Sequence, residues 1–141
     1  MKAKYVLCGV MLIASFAHCA PQCEKTTGST IGYATYYTVA SCQREGTSGT
    51  LTASGERYNE SLMTCALWRV GKHGRPLRPD GRLVRVQNVE NGKELVVRWT
   101  DNGPGRKARE RGVVIDLTPA AFEKLGGKLR DGRIRVEIQE A

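Results

Sequence analysis

The sequence predicts a mainly β fold: a small closed barrel with one short helix near the C-terminus. Three observations predict it. Short segments with alternating apolar and polar residues recur between Gly-, Pro- and Asn-rich turns, the pattern of half-buried strands. Helix start and stop signals coincide only once and late, at Thr118-Pro119 and Gly126. With a single late helix, the chain lacks the repeated strand–helix units of a doubly wound sheet. At 141 residues it suits one domain, and a mature part of ~120 residues should bury roughly two-thirds of its unfolded surface.

The first segment reads as a targeting sequence rather than part of the fold. Lys2 and Lys4 form a basic start, Val6 to Ala17 is apolar but too short to span a bilayer, and Ser15-Phe16-Ala17 is a small-x-small cleavage pattern. Residues 1–17 are therefore expected to be a signal peptide, with cleavage as late as residue 20 as the alternative. Residues 18–30 read as a flexible lead-in, and 31–139 as the folded domain. No later apolar run is long enough to cross a membrane. The expected location is exported, periplasmic or secreted. A lipid anchor at Cys19 is the weaker alternative, because His18 is a poor neighbour for lipobox cleavage.

Within the domain, Ile31 to Val39 is rich in Tyr, Thr and aliphatic residues and reads as a strand. Ser41 to Gly55 is dense in Ser, Thr and Gly and reads as a long surface loop. Asn59 is placed to cap a short helical turn through Leu62 and Met63. Arg69 to Gly81 is basic, carries Pro76 and Pro79, and reads as a loop. Leu83 to Val89 alternates as a strand, Asn91-Gly92 signals a type I′ hairpin turn, and Lys93 to Thr100 is the return strand. Arg106 to Gly112 reads as a basic loop and Val113 to Leu117 as a short strand. The capped helix follows, then an Asp131-Gly132 turn and a last strand from Arg133 to Gln139.

Composition narrows the partners. The formal charge is +8, of which Lys2 and Lys4 contribute two, so the mature part stays basic. A basic exported protein suits an anionic partner such as cell-wall polymer, although such charge also serves solubility. In an exported chain the cysteines read as disulfide candidates. Cleavage after Ala17 leaves Cys19, Cys23, Cys42 and Cys65, which permit three pairings. Cys42 with Cys65 is favoured because both lie inside the domain. No metal site is expected: there is no Cys-x-x-Cys pair, and the only histidines are His18 and His73. Gly103-Pro104-Gly105 lacks the Lys-Ser/Thr of a phosphate-binding loop, so no nucleotide cofactor is expected. Nucleic acid is a poor partner for an exported chain.

Chemistry points to two acids in Gly-containing turns, Asp101 in Thr100-Asp101-Asn102-Gly103-Pro104-Gly105 and Glu56 in Thr52-Ala53-Ser54-Gly55-Glu56. Paired carboxylates cleave glycosidic bonds when one keeps its proton. Tyr33, Tyr36, Tyr37, Trp68 and Trp99 are candidates to stack on sugar rings, with ordinary core packing as the competing explanation. Asp before Asn-Gly is also common turn chemistry.

Several motifs occur in a fixed order: Gly32-Tyr33-Ala34-Thr35-Tyr36-Tyr37, Thr52-Ala53-Ser54-Gly55-Glu56-Arg57-Tyr58, Met63-Thr64-Cys65-Ala66-Leu67, Asn91-Gly92-Lys93, Val96-Val97-Arg98-Trp99-Thr100-Asp101-Asn102-Gly103-Pro104 and Val114-Ile115-Asp116-Leu117-Thr118-Pro119-Ala120-Ala121. Together they resemble the rare lipoprotein A (RlpA)-like family over nearly all of Ile31 to Ile138. The resemblance implies a six-stranded double-psi β-barrel, related to barwin and to the first domain of expansins. It implies lytic transglycosylation of peptidoglycan glycan strands, in which one carboxylic acid protonates the bond between N-acetylmuramic acid and N-acetylglucosamine. The muramic 6-hydroxyl then closes a 1,6-anhydro ring. By position, Asp101 takes the general acid/base role and Glu56 a supporting or alternative acidic role. Asp116 matches a third family acid, for which bracing the helix start is the favoured reading. Tyr36, Tyr37, Trp68 and Arg98 are the substrate-binding candidates, with Arg98 orienting a carboxylate or the lactyl group.

The sequence departs from the family where many members carry a histidine: the aligned position is Leu67. This keeps open a second reading, an expansin- or barwin-like module that binds or loosens wall polysaccharide without cutting it. No cofactor is expected, and a monomer is expected.

Overall fold

In the computed structural model, residues 28–47 and 49–140 are described. The expected signal peptide, Cys19, Cys23 and most of the lead-in lie outside them. The described residues form strands β1 (Ser29–Tyr36), β2 (Thr64–Ala66), β3 (Leu83–Asn88), β4 (Glu94–Asp101), β5 (Val113–Leu117) and β6 (Ile134–Glu140), with helices α1 (Val39–Arg44), α2 (Arg106–Glu110) and α3 (Pro119–Lys124). A 3-10 turn covers Leu129–Asp131. The strands close in the order β1-β5-β2-β4-β3-β6. Pairs β1/β5 and β2/β4 are parallel and the other four antiparallel, so the fold is the expected six-stranded barrel.

Alternation along the strands builds the core. In β3, Val84 and Val86 point inward while Leu83 and Arg85 face out; in β6, Ile134, Val136 and Ile138 point inward. These side chains meet Trp99, Ile115, Leu117, Phe122 and Leu125, all fully buried. Helix α3 contributes Ala121 and Phe122 to this core. Gly127 lies so close to the Phe122 ring that an added Cβ would sit 2.3 Å from it. Removing a side chain there lets the turn after α3 pack on the ring. At the far end of β6, Glu140 pairs with Arg69 and Arg82, which ties the last strand to the long loop before β3.

Several local expectations are corrected. The segment after β1 is not all loop: Thr38 and Ser41 form a reciprocal capping box, which satisfies two helix-start donors and nucleates α1. The basic stretch after Gly105 folds as α2. Asn59 caps no helix; its Oδ1 instead accepts from the Ser61 N–H in a tight turn. The β3–β4 hairpin exists, but Asn91 has no positive φ, so the turn is not type I′. Gly92 alone takes φ +72°, its N–H bonding the Asn88 carbonyl at 2.8 Å, and the loop is longer than two residues. The Thr118 hydroxyl does not cap α3; it donates to the Leu62 carbonyl at 2.5 Å. The expected Cys42–Cys65 disulfide is also absent. Both residues hold free thiols, because Cys65 faces the core from β2 while Cys42 sits half-exposed on α1.

Candidate active site

The three-residue strand β2 organises the site. Ala66 pairs with Asp101 on β4 and with Asp116 on β5, so the two acids flank one buried methyl group. Adjacent strands run roughly 5 Å apart, which puts the two acid-bearing backbones about 10 Å apart. The register slips between Cys65/Trp99 and Ala66/Asp101, leaving Thr100 as the extra residue of β4. Such a bulge turns the next side chain toward a new direction. The Trp99 indole N–H fixes the bend by donating to the Asp101 carbonyl at 2.8 Å, and the Ser54 N–H donates to the Thr100 carbonyl at 3.0 Å.

Both acids line an open groove of about 1390 Å³. Asp101 Oδ1 accepts the backbone N–H of Ala53 at 3.0 Å and of Asn102 at 2.8 Å. Burial raises its pKa, and these two bonds oppose the rise. Asp116 is more enclosed. Burial pushes its pKa up to about 6, opposed by the Thr35 hydroxyl, which donates to Oδ1, and reinforced by the charges of Glu45 and Asp101. Gly103 makes room for Asp116: an added Cβ would sit 3.0 Å from Oδ2 and 3.2 Å from the Ala66 Cβ. Asp116 thus lines the groove, its carboxylate held by Thr35 of β1. The strand–helix motif around it signalled a structural role; its burial arises only through pairing with β1 and β2.

Glu56 and Arg98 do not reach the groove. They bond each other in a bidentate pair at 2.5 and 2.6 Å on the surface. Arg98 holds the Glu56 carboxyl below its ordinary value, the Ser54 hydroxyl adding to the effect. The Thr52 N–H donates to the Glu56 carbonyl at 2.8 Å, and this closed turn presents the Ala53 N–H to Asp101.

The aromatic candidates divide. Tyr36 packs on Phe122 and its hydroxyl donates to the Leu129 carbonyl at 3.0 Å, so it braces the groove from below. Tyr37 stacks on Tyr58 with centroids 4.7 Å apart, and the Tyr58 hydroxyl donates to the Tyr37 carbonyl at 2.6 Å. Burial first, then the Asp101 charge, raise the Tyr37 phenol well above its usual range, so it stays neutral. Trp68 is partly exposed in the groove with the Arg109 guanidinium 4.2 Å from its ring centroid. Trp99 is wholly buried and offers no face to a sugar. Leu67 is also wholly buried, and His73 lies outside the groove lining. Among the described residues, no group of three His, Cys, Asp or Glu could hold a metal ion, and no helix is long and apolar enough to cross a membrane.

Comparison with known proteins agrees with this geometry. The family description "Lytic transglycolase" matches residues 29–138. A probable endolytic peptidoglycan transglycosylase RlpA from Nostoc is 44% identical over 82 residues, 58% of this chain and 19% of that protein. The corresponding Yersinia pestis protein is 38% identical over 62% of this chain and 21% of its own length. A probable Treponema pallidum one is 37% identical over 78% of this chain and 29% of its length. The chain thus spans less than a third of these relatives. Two solved structures share the fold. Streptomyces papain inhibitor has a TM-score of 0.57 at 24% identity, covering 83% of this chain and 97% of that one. A Clavibacter michiganensis expansin has a TM-score of 0.53 at 18% identity, covering 81% and 50%.

Proposed function

The chain belongs to the RlpA-like family of double-psi β-barrel lytic transglycosylases, and from that premise we propose that it is an exported enzyme acting on peptidoglycan. It cleaves the bond from N-acetylmuramic acid to N-acetylglucosamine and leaves a 1,6-anhydro end. The observation that carries this reading is the pair of groove acids on either side of Ala66, in environments that separate their proton affinities.

Asp101 keeps the acid/base role expected of it and shares it with Asp116. Below about pH 6 Asp116 holds a proton. That proton passes to the glycosidic oxygen as the C1–O bond breaks. The muramic 6-hydroxyl oxygen attacks C1, and its proton passes to the Asp101 carboxylate. The two backbone donors on Asp101 favour the ionised form needed for that step. Proton exchange with water resets the pair, and no water enters the product. Glu56 takes the supporting role: paired with Arg98, it holds the turn that orients Asp101. Trp68 supplies the exposed aromatic surface for a sugar.

Incubating the mature chain with purified sacculi and reading the released fragments by mass spectrometry tests the proposal. Anhydro-muropeptides are expected; fragments with reducing ends would indicate hydrolysis instead. The second reading, a non-cutting wall-binding module, is favoured by one observation. The position where many family members carry histidine is Leu67, sealed in the core. Retention on sacculi without any released fragment would favour it.

A further inference from the structure

Past Trp68, the basic segment that leads to β3 lies outside the groove. Its first part folds back as a narrow hairpin over residues 69–77. Val70 sits opposite Pro76, the Gly71 N–H donates to the Arg75 carbonyl at 2.8 Å, and the Leu77 N–H donates to the Arg69 carbonyl at 2.9 Å. Gly74 closes the tip at φ +70°, its N–H donating to the Gly71 carbonyl at 3.0 Å. The base is fixed, with Arg69 paired to Glu140 and Pro79 buried. The rest faces water. Val70 is 52% exposed and Leu77 39%, and neither joins the core. Side chains alternate along a ribbon, so Val70 stands on one face and Leu77, which lies over Gly71, on the other. Lys72, Arg75 and Arg78 are exposed, and among the described residues none forms an ion pair with an acid. The one acid of the segment, Asp80, is taken by Arg82.

We propose that this hairpin docks the chain on an anionic lipid bilayer, with Val70 and Leu77 entering the headgroup boundary and Lys72, Arg75 and Arg78 meeting the lipid phosphates. The unpaired cations fix the sign of the partner, and the aliphatic side chains fix its kind. An anionic wall polymer offers negative charge but no apolar phase for a valine or a leucine. The boundary between headgroups and acyl chains offers both. A flat protein partner would cover one face of the ribbon, whereas a hairpin dipped into the headgroup layer has lipid on both. The contact uses no groove residue, so it is independent of the glycan-cleaving reading.

The test is co-sedimentation of the full mature chain with two kinds of vesicle, phosphatidylcholine alone and phosphatidylcholine with about a third phosphatidylglycerol. Binding is expected to the anionic vesicles only. Each cation at such a surface is worth about five-fold in partitioning, so Lys72→Gln, Arg75→Gln and Arg78→Gln together should weaken binding by about ten-fold or more. Lys93→Gln, Lys124→Gln and Lys128→Gln together remove the same charge elsewhere and should weaken it by less than about three-fold. Val70→Gln with Leu77→Gln keeps every charge and should weaken binding by about five-fold or more. All these side chains are exposed, so the variants should melt with the wild type. Absence of binding to the anionic vesicles would overturn the proposal. Equal losses in the two triple variants would overturn it too, by assigning the effect to net charge. Full binding by the Val70→Gln, Leu77→Gln protein would do the same, because charge alone would then hold the surface. Retention on sacculi that depends on Lys72, Arg75 and Arg78, without vesicle binding, would assign the hairpin to wall polymer instead. Release of anhydro-muropeptides is scored without vesicles, so a failure of the cleavage reading leaves this outcome untouched.

Discussion

Asp101 and Asp116 stand on either side of Ala66, each paired with it across a different edge of β2. Their surroundings differ in kind. Two backbone N–H groups hold Asp101, while the only hydrogen bond to the Asp116 carboxylate among the described residues comes from the Thr35 hydroxyl. Burial raises both, and Asp116 by more, to about 6.

That difference sets a pH dependence of stability. The folded pKa of Asp116 lies above its unfolded value of 3.8, so the folded state binds more protons between about pH 4 and 6. The contribution is therefore full below pH 4 and is lost as pH rises through 6. The loss is on the order of 2–3 kcal/mol. Asp116→Asn should flatten this part of the profile and leave the protein more stable than wild type at pH 7. Urea unfolding at pH 4, 5, 6 and 7 measures it; parallel profiles for the two proteins would count against a buried, raised Asp116.

In the proposed mechanism the same group would set a pH dependence of activity opposite to that of a simple base. If Asp116 delivers the proton, the rate should fall as pH rises through about 6, close to ten-fold per unit beyond it. Asp116→Asn should remove this limb along with most of the rate. Release of anhydro-muropeptides from sacculi between pH 4.5 and 8 gives the profile, and a rate that climbs steadily to pH 8 would exclude Asp116 as donor.

Glu56 should behave as a brace. Glu56→Gln breaks an exposed, solvent-screened ion pair, so stability should change little. Because the turn bearing Ala53 loosens, the rate should fall by less than about ten-fold, against the hundred-fold or greater loss expected from removing a proton-transfer group. Thermal melts and sacculus digestion side by side separate the two; a loss as deep as that of Asp101→Asn would return Glu56 to the chemistry.

Gly103 offers a geometric test of the acid pair. In Gly103→Ala the new methyl group meets Asp116 Oδ2 at 3.0 Å and the Ala66 Cβ at 3.2 Å. That contact, together with the positive φ of +159° at Gly103, should cost about 2 kcal/mol or more of stability, while the displaced carboxylate should lose about ten-fold or more in rate. Comparison of kcat with the melting temperature shows whether the acid moved without the barrel failing.

Much of the fold was legible where local signals agree with long-range pairing. Val113 to Leu117 is a short, mostly apolar run and is β5 without adjustment, and Pro119 with Gly126 brackets α3. The hidden elements are those that neighbours define. β2 is three residues long and is a strand only because β4 and β5 lie beside it. Helix α1 sits in a Ser/Thr-rich stretch that composition marks as loop, and only the Thr38–Ser41 box reveals it. The site shows the same division. Asp101 was legible from its turn, and the basic Arg106 to Arg111 stretch from its charge. The burial of Asp116, the engagement of Arg98 by Glu56 and the stacking of Arg109 on Trp68 all join residues distant in sequence, and no local pattern carries them.

The Asp101 carboxylate should be required for cutting glycan and not for folding. Asp101→Asn keeps an oxygen that can accept the Ala53 and Asn102 N–H groups, so the turn should hold. The direct measurement is mass-spectrometric counting of anhydro-muropeptides released from sacculi by wild type and Asp101→Asn, with thermal melts of both. The expected result is matching melts and a loss of product by about a hundred-fold or more; product at the wild-type level from a folded Asp101→Asn protein would contradict it.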